Sequence, residues 1–166
     1  MKLEDAKEIF IQNWGALGSS WGINRTMSSI HALLIASHEP LSTEEIMERL
    51  KISRGNANMN IRALIDWGLV KKQLKAGERK DYFYAGKDVW EIARQIVKER
   101  RKRELEPILD VVEELKQVDE DTEEAKVFVE MVNNLGDFTT KVNNTLDKFG
   151  KSDKNWFYKS LMKLVK

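Results

Sequence analysis

Ser42-Thr43-Glu44-Glu45-Ile46-Met47-Glu48-Arg49-Leu50, then Lys51-Ile52, then Ser53-Arg54-Gly55-Asn56-Ala57-Asn58-Met59-Asn60-Ile61-Arg62-Ala63-Leu64-Ile65-Asp66-Trp67-Gly68, is the stretch whose reading decides the fold. Ser42 and Glu45 have the spacing of a capping box, in which the hydroxyl and the carboxylate each satisfy the other's backbone amide. The spacing predicts a helix over Thr43–Leu50. Lys51-Ile52 leaves room only for a turn, Ser53 is a suitable N-cap, and Gly68 supplies the left-handed residue that ends a second helix after Trp67. Two short helices about a tight turn form a helix-turn-helix.

On a helical wheel the second of these helices gathers Ala57, Ile61 and Leu64 on one side. Gly55, Asn58, Met59 and Arg62 then point away, with Arg54 and Asn56 near the boundary. Each outward type suits a base edge. Arg62 can fork onto guanine, Asn58 or Asn56 can pair with adenine, and Met59 can meet a thymine methyl. Gly55 allows close backbone approach. No acidic side chain interrupts Arg54 to Ala63, where one would meet phosphates. Ser42, Thr43 and Ser53, at the heads of the two helices, join the expected DNA-binding set.

Downstream, Leu69 to Leu74 and Lys80 to Tyr84 have strand composition and flank Lys75-Ala76-Gly77-Glu78-Arg79, whose glycine suits a hairpin loop. This is a wing. Arg79 and Lys80 fall at its tip and Lys71, Lys72 and Lys75 along its strands, placed for phosphates and the adjacent minor groove. A further basic block, Lys98 to Arg103, reads as a solvated helix face.

Upstream, Ile9, Phe10, Asn13, Trp14 and Leu17 recur at helical spacing, so residues 4 to 17 read as an amphipathic helix ending at Gly15 or Gly18. Thr26 to Ser37 read as another, with Ile30, Leu33 and Leu34 inward. Beyond Gly86 the chain reads as helical from about Asp88 to Val118, with Pro107 either kinking that helix or opening a new one. From Ala125 the apolar series Ala125, Phe128, Val132, Leu135, Thr139, Val142, Leu146 and Phe149 steps by three and four, as a seam for another helix does. Phe128, Val132, Leu135, Val142, Leu146 and Phe149 are therefore the expected dimerisation residues. Ser152 to Val165 reads as a last helical segment on the same core.

The net charge of +1 conceals a segregation of sign. From Arg49 to Lys87 the cations meet only Asp66, Glu78 and Asp81, whereas from Glu104 to Asp147 acids dominate and only Lys116, Lys126 and Lys141 oppose them. The first region suits a polyanion and the second repels one. Charged residues make up 33% of the chain, no apolar run is long enough to cross a bilayer, and the first residues are acidic rather than signal-like. A cytoplasmic protein without a membrane partner is expected. The absence of cysteine removes disulfides, thiolate metal sites and thiol nucleophiles. His31 and His38 have no acidic partner in metal-ligand register, and no phosphate-binding glycine loop or serine elbow occurs. No metal, cofactor or enzymatic activity is expected.

The motifs Trp14-Gly15, Trp21-Gly22, Arg25-Thr26-Met27, Glu39-Pro40-Leu41-Ser42, Ser53-Arg54-Gly55-Asn56, Asp66-Trp67-Gly68-Leu69-Val70 and Gly77-Glu78-Arg79-Lys80-Asp81-Tyr82 together resemble the GbsR branch of the MarR-like transcriptional regulators. The resemblance spans roughly residues 5 to 90. It implies a homodimer with interlocked N- and C-terminal helices, a roughly palindromic operator, the Ser53 to Arg62 helix in the major groove and the Arg79 tip in the minor groove.

The expected fold class is mainly α with a small β-hairpin wing: an N-terminal helix for core and dimerisation over 1–24, a winged helix-turn-helix over 25–86, and a helical dimerisation region over 87–166. The expected function is sequence-specific binding of double-stranded DNA by a repressor released by a small-molecule effector. An aromatic cage for such an effector, if cationic, would draw on Phe10, Trp14, Trp21 and Trp67, residues that serve equally as core and interface aromatics. The alternative is a winged helix used as a protein-interaction or assembly module, which has no need of Arg54, Arg62 and Arg79 together.

Overall fold

Three helices of the first half are each started by a side chain that accepts orphan backbone amides. Asn24 Oδ1 accepts from Thr26 (2.8 Å) and Met27 (3.1 Å) ahead of α2 (Arg25–Ala36). At α3 (Thr43–Leu50) the Glu45 carboxylate accepts from the Ser42 backbone and hydroxyl, both at 2.7 Å, while the Ser42 oxygen accepts from the Glu45 amide. Ser53 does the same for α4 (Arg54–Asp66), accepting from the Asn56 amide at 3.3 Å. The turn between α3 and α4 is closed by Lys51 in the left-handed conformation (φ 54°), and Gly68 (φ 70°) carries the chain out of α4. These positions agree with the capped helix-turn-helix expected from the sequence.

The structure is a computed structural model that describes residues 1–20 and 22–152. It divides into two compact units, one over Met1–Ile92 and a second that begins at Ala93. In the first unit α1 (Leu3–Ser20) packs along α2. It does not stop at Gly15 or Gly18 as expected. Both glycines are buried where α1 meets Ser28 and Ser29 of α2, so they serve close approach rather than termination. Ile30, Leu34, Ile46, Ala57, Ile61 and Leu64 fill the core among α2, α3 and α4.

The wing is the antiparallel pair β2 (Val70–Leu74) and β3 (Asp81–Ala85), with Gln73 opposite Tyr82. A third strand escaped the sequence reading. β1 (Leu41–Ser42) lies on the other side of β3, pairing Leu41 with Phe83 and Ser42 with Tyr82, so the sheet order is β1-β3-β2. A two-residue strand carries no periodicity to detect. Mostly helical, with a small antiparallel sheet, the architecture is that of a winged helix-turn-helix.

Asp88 Oδ1 accepts from Trp90 (2.9 Å) at the start of α5 (Val89–Arg100). Of the two readings of Pro107, the structure takes the second: it opens a new helix, which ends at Leu115 rather than Val118. A π-helical turn, Arg101–Leu105, follows α5, and α6 (Glu106–Leu115) takes Pro107 in its first turn, where the missing N–H costs nothing. Within the second unit Arg101 ties this turn to the last helix, reaching Asn143 Oδ1 at 3.2 Å and Asp147 at 3.4 Å, besides Glu106 at 3.3 Å. Arg100 pairs with Glu104 and Arg103 with Glu99, so the arginines of the basic block are engaged within the chain.

Thr122 caps α7 (Glu123–Lys151). Its apolar series splits between two faces. Ala125, Val132, Gly136 and Thr139 are buried, with Gly136 against Val112 of α6. Phe128, Met131, Leu135 and Phe138 form a separate stripe at the same three-four spacing and are exposed. Of the expected dimerisation residues, Val132 is thus buried within the chain, Phe128 and Leu135 face outward, and Val142, Leu146 and Phe149 are half-buried. Val142 and Leu146 line an apolar groove of about 280 Å³ with Val97 and Leu105. The helical segment expected from Ser152 to Val165 lies, after Ser152 itself, outside the described residues. Among the described residues no helix is long and apolar enough to cross a membrane.

Candidate nucleic-acid interface

α4 buries Ala57, Ile61 and Leu64 and leaves Gly55, Asn58, Met59 and Arg62 exposed, the division expected from the wheel. Met59 is 60% exposed. Gly55 has open space where a side chain would stand. Asn60, unassigned in the sequence reading, is buried, and its amide nitrogen donates to the Asn56 backbone oxygen (2.8 Å) and side-chain oxygen (2.7 Å). That bond fixes Asn56 and occupies part of its acceptor capacity, leaving Asn58 the less encumbered amide.

The head of α3 stands beside this face. Thr43, Asn58, Ile61, Arg62 and Ile65 meet Lys72, Asp81 and Phe83 of the wing around a cleft of about 380 Å³. The cleft joins helix and wing into one surface. Ser42, by contrast, is buried and its hydroxyl is committed to the capping box, so it positions Thr43 without reaching the surface.

Two carboxylates, those of Glu44 and Asp81, stand among the cations. Arg54 Nη2 donates to Glu44 Oε1 at 2.9 Å, and Lys72 Nζ lies 2.8 Å from Asp81 Oδ2. Glu44's own backbone amide, and then Arg54, hold its carboxyl below the usual carboxylate range. The acids Glu44 and Asp81 are visible in the sequence; their partners, set by the turn and the strand register, are not.

At the wing, Lys71, Lys72, Arg79 and Lys80 are exposed. Lys75 is half-buried with its ammonium 4.0 Å from the centre of the Tyr82 ring, a cation–π contact that braces the loop. The Tyr82 hydroxyl donates to Glu78, a bond that pushes the tyrosine pKa up to about 12. Gly77 (φ 83°) lies in the turn between β2 and β3.

Of the four aromatic residues expected to form a cage, Phe10 and Trp14 meet on α1 in a tilted arrangement with ring centres 5.5 Å apart. Trp14 in turn lies 6.3 Å from His31, whose buried Nε2 has no hydrogen-bond partner among the described residues. Burial lowers the His31 pKa to about 4, so the ring is neutral at physiological pH. Trp67 is half-buried at the C-terminal end of α4, and Trp21 lies outside the described residues. Among the described residues no group of acids and histidines could hold a metal ion.

Comparison with known proteins bears on the fold. Over 112 residues the chain is 24% identical to the HTH-type transcriptional repressor GbsR of Bacillus subtilis (strain 168), an alignment covering 68% of this chain and 62% of that protein's length. A solved structure described as a transcriptional regulator superposes with a TM-score of 0.67 at 20% identity, covering 88% of this chain and 97% of the other, which shows a shared fold. Residues 21–80 match the family model described as MarR family.

Proposed function

We propose that this chain is a transcriptional regulator that binds double-stranded DNA in a sequence-specific manner. One observation carries the reading: Asn58, Met59 and Arg62 stand exposed on a helix that has no acid from Arg54 to Ala63, flanked by a wing with Lys71, Arg79 and Lys80 exposed. Direct readout needs donors, acceptors and apolar groups free to enter the major groove, with cations placed for the phosphates on either side. The assignment of 25–86 as the DNA-binding region follows from it.

In this reading the protein acts in the cytoplasm as a homodimeric repressor on a palindromic operator. The exposed stripe Phe128, Met131, Leu135 and Phe138 supports self-association, because a stripe at this spacing suits a second helix. Phe10 and Trp14 are the candidate contacts for a small-molecule effector. The regulatory role is a binding role, without catalysis.

Selection from a pool of random-sequence duplexes at moderate salt tests the proposal. Enrichment of an inverted repeat is the expected outcome; a pool that stays random through several rounds overturns it. A second reading, an assembly module, draws on the intramolecular neutralisation of Arg54 and Lys72. Loss of sequence selection on replacing Arg54, Arg62 and Arg79 with alanine, in a folded protein, decides for the first reading.

A further inference from the structure

The two ion pairs on the proposed DNA face bear on how that face discriminates. Arg54 and Glu44 are 61% and 43% exposed in their side chains, and Lys72 and Asp81 are 51% and 44% exposed. Pairs so open to water contribute little to folding. Their position matters more. Lys72 and Asp81 line the cleft with Asn58 and Arg62, and Glu44 follows directly on Thr43, which lines it too.

Sequence-independent binding to duplex DNA draws on counterion release, each neutralised phosphate contributing about 0.9 to the slope of log K against log salt. A cation already balanced by a fixed carboxylate gains less from a phosphate, since the contact breaks one ion pair to make another. It also leaves a carboxylate facing the polyanion. On a random duplex nothing offsets that cost. On a matching sequence, the hydrogen bonds of Arg62 and Asn58 to base edges do.

We infer that Glu44 and Asp81 are specificity-determining positioning residues: by holding Arg54 and Lys72 in intramolecular ion pairs they suppress sequence-independent binding and leave base contacts to decide. The inference rests on the proposed DNA-binding function, and the sequence signal for it is slight. Glu44 and Asp81 look like ordinary surface acids until α3 meets α4 and β2 meets β3.

The test uses the full chain and two duplexes of equal length, one enriched by the wild-type protein and one of random sequence, titrated by fluorescence anisotropy over a salt series. Glu44→Gln with Asp81→Asn is expected to bind the random duplex roughly tenfold tighter at moderate salt, with a salt slope steeper by about 1 to 2, and to gain less on the enriched duplex. Glu44→Asp, which keeps the charge, stays nearer to wild type on both. Thermal unfolding confirms that the variants are folded. Random-duplex affinity and salt slope unchanged in the double variant, while the wild type still discriminates, overturn the inference and leave the DNA-binding function standing. Equal losses on both duplexes overturn it as well, since the carboxylates then hold the site together rather than restrain it. A wild-type protein that enriches no sequence fails at the earlier step and takes the inference with it.

Discussion

Gly18 of α1 lies so close to Ser28 of α2 that a Cβ on the glycine would stand 1.9 Å from the serine hydroxyl oxygen and 2.6 Å from its Cβ. The hydroxyl could rotate away, but the serine Cβ cannot without moving α2. Gly18→Ala gains about 0.5–1 kcal/mol of helix propensity and loses about 1–3 kcal/mol to overpacking, so net destabilisation is expected in urea melts. Ser28→Gly in the same chain should recover part of the loss. Additive effects of the two substitutions would show that the helices do not meet there.

Gly55 is the opposite case, with no atom near the place of a side chain. Gly55→Ala is expected to stabilise the fold by up to about 1 kcal/mol. If the α4 backbone approaches DNA closely, the same methyl weakens binding to a selected duplex. Stability and affinity should therefore move in opposite directions, and a variant that gains both would remove the close approach.

His31 makes stability fall in mild acid. Its folded pKa, lowered by burial from 6.5 to about 4, means that the unfolded chain takes up a proton between those values while the folded chain does not. Stability is full above about pH 6.5 and declines as pH falls toward 4, by about 3 kcal/mol when integrated over the window. Denaturant midpoints at pH 7.5 and 5 should differ in the wild type and differ much less in His31→Leu. Parallel declines in the two proteins would place the acid sensitivity elsewhere.

These features differ in how far the sequence reveals them. Ser42 and Glu45 are legible because a capping box is local, its partners being three residues apart. The outward set on α4 is legible because burial of Ala57, Ile61 and Leu64 follows from one helical period. Gly15 and Gly18 mislead, since a helix end and a close helix crossing both favour glycine and only the presence of Ser28 and Ser29 opposite them distinguishes the two. The engagement of Arg54 by Glu44, and of Arg101 by Asp147, depends on tertiary approach and has no local signature. The seam on α7 carried both outcomes in one pattern: a three-four spacing does not say that Val132 turns toward α6 while Leu135 turns outward.

Arg62 and Lys71 should separate base reading from phosphate contact. Arg62→Ala is expected to cost about 1–3 kcal/mol on the selected duplex and to relax preference at one base position. Lys71→Ala should weaken all sequences about equally and lower the salt slope by about 1. Competition titrations with single-base variants of the selected duplex distinguish them. Equal losses on selected and random DNA for Arg62→Ala would end its assignment as a reader.

Leu135 and Val132 give a matched pair on α7. Leu135 is 42% exposed and Val132 1% exposed. Leu135→Asp is expected to keep its helical circular dichroism and to run as a monomer in light scattering, whereas Val132→Asp places a charge in the α6–α7 core and should lose several kcal/mol of stability. A Leu135→Asp protein that remains a dimer would assign self-association to another surface.

Ser42 belongs to two structures at once, as the residue that starts α3 and as the partner of Tyr82 across the sheet. Tyr82 in turn lies between β1 and β2, so the hairpin cannot swing without dragging the front of α3 with it. The hairpin is therefore coupled to the front of α3, which itself packs on the reader helix α4. A face tied together in this way has little freedom to mould itself to its target. On the proposed function the duplex has to do the bending, and steps along it that yield easily would be favoured even where no side chain touches them.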